Sequence, residues 1–75
     1  MNNIRRKEIA TCLDALNAVR DDIQALLEEE QECFDNMPEN LAASENYQNS
    51  ENAINDLECA LSDLESAIEY IENIL

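Results

Sequence analysis

Ile54, Leu57, Leu61, Leu64, Ile68, Ile71 and Leu75 follow one another at alternating steps of three and four residues. A strand would scatter this series over both of its faces, whereas a helix with about 3.6 residues per turn gathers it into one stripe. The segments INDLECA, LSDLESA and IEYIENI nearly repeat, which makes the stripe a heptad seam built to meet another helix. Ala53, Ala60, Ala67 and Ile74 run alongside it, and side chains this small let a neighbouring helix approach closely.

The first half of the chain is written in a similar way. Ile9, Cys12, Leu13, Leu16, Val19, Ile23, Leu26, Leu27, Cys33 and Phe34 keep helical spacing. Asn2 or Asn3 can cap the start, because a side-chain oxygen there accepts an orphan amide of the first turn. Glycine is absent, and the one proline, Pro38, disfavours helix at Met37 before it. The sequence therefore predicts one domain over residues 1–75, with helix over about 3–35, a connection over about 36–44 and helix over about 45–75. A short helical turn is expected over 38–43, with Ser44 or Asn46 capping the second helix. Two helices of matched length joined by a short connection form an antiparallel hairpin.

A chain of 75 residues buries only about 60–65% of its unfolded surface, so its core needs support. Cys12, Cys33 and Cys59 are an odd number without CxxC spacing, and histidine is absent, which leaves no zinc site. The cysteines read as small, half-buried apolar residues in a reducing environment. Both apolar faces are wider than a hairpin can cover. Pairing two hairpins into a four-helix bundle resolves both problems, and a homodimer is expected.

Eighteen acidic residues face four basic ones, for a net charge of −14. That balance excludes nucleic acid and anionic membrane as direct partners and favours a basic protein surface. No apolar run resembles a signal peptide or a membrane span, so the expected location is cytoplasmic. Glu51, Glu58, Glu65 and Glu72 recur every seven residues, with Asp56 and Asp63 read as lying beside them. This acidic stripe is either a solvated face that keeps the bundle soluble or a binding surface. The scarcity of lysine partners favours the second, because unpaired like charges cost stability. Two side-by-side copies would carry −28 over about 45 Å, one charge per about 1.6 Å, against about 1.7 Å in duplex DNA. Mimicry of DNA in the basic groove of a binding protein is therefore admissible.

Arg5, Arg6 and Lys7 hold three of the four positive charges at a helix start, where the macrodipole disfavours them. In an antiparallel hairpin they lie near Glu65, Glu69, Glu72 and the C-terminal carboxylate, which relieves both ends and sets register. The alternative is an anion site, in which amides and guanidinium forks hold a phosphorylated small ligand or nucleotide signal. Catalysis has no sequence support, since no Ser, Cys or Lys has an activating partner and no DxDxDG loop is present for calcium. No catalytic residue, metal or cofactor is expected.

The start NNIRRKEI, the run EEEQECFDNMPENL and the tail AINDLECALSDLESAIEYIENIL together resemble the short acidic helical-hairpin proteins of Gram-positive bacteria and their phages. The resemblance implies no known activity. It does imply a mobile-element setting, in which small acidic proteins often block host nucleases or defence systems. The leading expectation is a small acidic protein-binding module, a DNA-mimic-like inhibitor of a nucleic-acid-binding or defence protein. The alternatives are a sequestering protein for a phosphorylated ligand and a structural dimerisation module.

Overall fold

A computed structural model describes residues 1–38 and 45–75. Two helices account for nearly all of them: α1, Asn3–Asp35, and α2, Glu45–Ile74. Asn2 is the N-cap of α1, extended at φ −82° and ψ 166°, and its Oδ1 accepts the Arg5 amide at 2.7 Å. This occupies one of the amides that a helix start leaves unpaired. At the other end the Met37 amide donates to the Phe34 carbonyl at 3.2 Å, tightening the last turn just before Pro38. Asn46 lies inside the first turn of α2 and so is not its cap. Ser44, and the expected turn over 38–43 beyond Pro38, lie outside the described residues.

The helices pack against each other as a hairpin. Ser50 donates its hydroxyl to the Glu30 carboxylate, and the Phe34 and Tyr47 rings stack at 4.6 Å between centroids, tilted by 35°. In both contacts a later residue of α1 meets an earlier residue of α2, which is the signature of antiparallel packing. The two rings close the break end of a rod measuring 59 × 15 × 14 Å. Carried along the helices, this register sets the first turn of α1 beside the last turn of α2.

The core is thin. Among the described residues only Ile54, Leu61 and Ile68 are buried, one per heptad, at 7%, 6% and 3% exposure. Opposite them α1 supplies Leu13, Leu16, Ile23, Leu27 and Phe34, all half-buried. Arg20 interrupts that α1 line, half-buried and with its guanidinium paired with Asp21 at 3.2 Å. The chain exposes 5611 Å², whereas a compact protein of its mass exposes about 4,650 Å². The rod shape thus leaves about a fifth more surface exposed than a compact body would.

The cysteines depart from their expected half-burial, since Cys12, Cys33 and Cys59 are all exposed. Val19 and Leu26 are exposed as well, at 46% and 54%. The cause is geometric. A single partner helix covers about one third of the circumference of α1, and its apolar arc is broader than that.

Candidate functional site

The two flanks of the hairpin differ in chemistry. At about 100° of rotation per residue, Gln24, Gln31 and Glu28 lie to one side of the α1 seam, and Glu58 lies to the corresponding side of the α2 seam. These residues line an open groove of about 550 Å³, together with Glu32, Asp35 and Asn36. Leu27 supplies an apolar floor. Four carboxylates from two helices thus share one opening with two glutamine amides. The amides hold the acids in place: Gln24 Nε2 donates to Glu28 at 3.4 Å, and Gln31 Nε2 to Asp35 at 2.9 Å. No basic side chain lines the groove, so its field is uncompensated locally.

Glu51, Glu58, Glu65 and Glu72 are exposed and form one column on this same flank. Asp56 and Asp63 do not join them. Each stands two residues before a column glutamate, which in a helix is about 160° around the axis. They border the opposite flank, so the expectation that they lie beside the stripe is corrected by the helical geometry. Sequence reasoning centred on α2 misses the share of α1 in the site. Glu28, Glu32 and Asp35 carry the i, i+4, i+7 spacing that marks one helix face, and the sequence alone contains that signal.

Among the described residues, the single ion pair within 4.0 Å is Arg20–Asp21, and Arg5, Arg6 and Lys7 make none. The basic start faces the acidic end of α2 through space without direct pairing. Arg5, Arg6 and Lys7 are all exposed, and as consecutive residues they fan out about 100° apart, so they do not converge on one anion. The Asn2 side chain already holds the Arg5 amide. Among the described residues no cluster of three or more His, Cys, Asp or Glu side chains is arranged to hold a metal ion. No helix among them is long and apolar enough to cross a membrane.

The sequence matches no protein-family model, no curated protein and no solved structure.

The flank across the seam carries two columns of uncharged side chains. Cys12, Val19, Leu26 and Cys33 recur every seven residues on α1, to the side of the seam away from Gln24 and Glu28. Ala53, Ala60, Ala67 and Ile74 do the same on α2, away from Glu58. All are exposed except Ala53, which is half-buried. Asp22 and Glu29 of α1 and Asp56 and Asp63 of α2 border these columns, so this flank is uncharged along its columns and acidic at its edges.

Proposed function

We propose that this protein is a small acidic binding module that works by occupying a basic protein surface rather than by catalysis. The observation that supports the reading is the groove in which Glu28, Glu32 and Asp35 of α1 meet Glu58 of α2 with no basic side chain lining it. In this reading the protein is a homodimer, a four-helix bundle that turns the acidic grooves outward. Its targets are nucleic-acid-binding or host defence proteins, as would suit a phage or mobile-element inhibitor. Two copies carry −28 along 59 Å, one charge per about 2.1 Å, somewhat sparser than the 1.7 Å of duplex DNA. That density supports competition with DNA for a groove without reproducing the duplex.

The test combines salt, competition and substitution. The protein is immobilised and exposed to host lysate. Captured proteins should elute as salt rises from 0.1 to 1 M, where the Debye length falls from about 10 Å to about 3 Å. Duplex DNA should displace the same proteins. Changing Glu51, Glu58, Glu65 and Glu72 together to Gln should weaken their capture at least tenfold. Capture that survives both 1 M salt and the four changes would overturn the reading.

A further inference from the structure

We infer that the flank across the seam from the groove docks a basic amphipathic helix of another protein, with its apolar face on Val19 and Leu26 and its lysines or arginines on Asp22, Glu29, Asp56 and Asp63. This is a second interaction surface, separate from the groove and from the glutamate column of α2.

The floor of this surface is apolar and open. Val19 and Leu26 are 46% and 54% exposed on α1, with Cys12 and Cys33 one heptad beyond them at either end. The register that joins Glu30 to Ser50 and Phe34 to Tyr47 sets Val19 roughly level with Ala60 and Leu26 with Ala53. Larger side chains on one helix thus stand beside alanines on the other, over two helix axes about 8–10 Å apart. A third helix seats on such a surface by laying residues i, i+3, i+4 and i+7 along it. It arrives with its backbone already hydrogen-bonded, whereas an extended segment would find no strand edge to pair with on two helices. From Cys12 to Cys33 the column runs about 32 Å at 1.5 Å per residue, enough for about six turns.

Charge then names the occupant. Asp22 and Glu29 line the α1 edge and Asp56 and Asp63 the α2 edge, all four exposed. The same register places Asp22 between the levels of Asp56 and Asp63, so acids stand on both sides of the floor. Among the described residues none of the four makes an ion pair. Arg5, one heptad before Cys12, is the only basic residue on these columns and edges, and it lies beyond the acidic stretch. An apolar strip between acidic edges complements a helix with basic residues on both sides of an apolar stripe. Basic stems also lie along apolar surface while their heads reach the carboxylates. A second copy would set these acids against its own, and nucleic acid or an anionic membrane would bring charge of the same sign.

A synthetic helix tests the surface. The probe is a labelled peptide of about 24 residues, long enough to span the column, with leucines at helical spacing and lysines on both sides of them. Fluorescence anisotropy should show binding that weakens about tenfold or more as salt rises from 0.1 to 1 M. The same peptide with glutamate in place of lysine should not bind, and equal binding of the two would overturn the charge complement. Changing Asp22→Asn, Glu29→Gln, Asp56→Asn and Asp63→Asn together should weaken the lysine peptide about tenfold. Changing Glu51, Glu58, Glu65 and Glu72 to Gln removes the same charge from the groove flank and should alter binding less than about threefold. Equal losses in the two variants would mean that net charge alone attracts the peptide, which overturns the site. The native thiols locate the bound helix. In the complex Cys12 and Cys33 should react with a maleimide about tenfold more slowly than Cys59, which lies about 140° around α2 from Ile54 and away from this face. Equal rates at all three thiols overturn the choice of face. A lysine peptide that does not bind at all overturns the docking surface and leaves the groove standing, because capture from lysate tests the groove separately.

Discussion

Asn2 shows how much a single side chain decides at a helix end. Its oxygen holds the Arg5 amide at 2.7 Å, where the two neighbouring arginines would otherwise add positive charge to an already positive pole. Replacing it with alanine removes an acceptor and should cost about 1 kcal/mol. In a domain of this size that lowers the melting temperature by about 4–8 °C, read by circular dichroism. An unchanged melting curve would mean that the first turn frays and the cap contributes nothing. Leu61 is the complementary case in the core. At 6% exposure it belongs to the only buried line among the described residues, so Leu61→Ala should destabilise by about 2–5 kcal/mol. Urea titration measures this, and a loss below about 1 kcal/mol would mean that the seam is not the stabilising surface.

At the scale of the element, α2 is a good seam on an ill-charged helix. Glu45 suits its start, but no basic residue stands in its last turn. Glu65, Glu69 and Glu72 are spaced four and three apart, so they repel along the helix at about 0.2–0.5 kcal/mol per pair. The Glu51, Glu58, Glu65 and Glu72 to Gln variant used for the binding test should therefore melt several degrees higher than the parent. A lower melting temperature would show that the column makes favourable contacts unaccounted for by this fold. Stability and capture should thus move in opposite directions, which distinguishes a surface kept for binding from one kept for folding.

At the scale of the whole molecule, net charge and missing core act together. A body carrying −14 on a thin core repels itself, and salt should relieve that repulsion. Raising sodium chloride from 0.05 to 0.5 M should raise the melting temperature. A fall would mean that attraction between the basic start and the acidic ends outweighs repulsion, since screening weakens both. The proposed dimer would add a second signature. Melting should shift upward as protein concentration rises, because association stabilises the folded state by mass action.

Local periodicity determined a good deal. The series from Ile54 to Leu75 and its fainter counterpart from Ile9 to Phe34 dictate two helices, because no other backbone keeps such spacings on one face. Pro38 dictates a break near Asp35, because its ring disfavours helix at Met37. The buried line of Ile54, Leu61 and Ile68 was equally legible, since one heptad position repeats without a polar interruption. What the sequence left open was how much of each apolar face a partner would cover. Only the packing of α2 on α1 decides that Leu13 and Leu27 turn inward while Cys12, Val19 and Leu26 stay out, because the two sets differ by about 100° of rotation within one continuous apolar arc. The site was hidden for the same reason. Glu58 and Glu28 lie thirty residues apart in the chain and share a groove only because the hairpin folds one flank of α1 onto the matching flank of α2. Asp56, two residues from Glu58, is carried to the far side by the turn of its own helix.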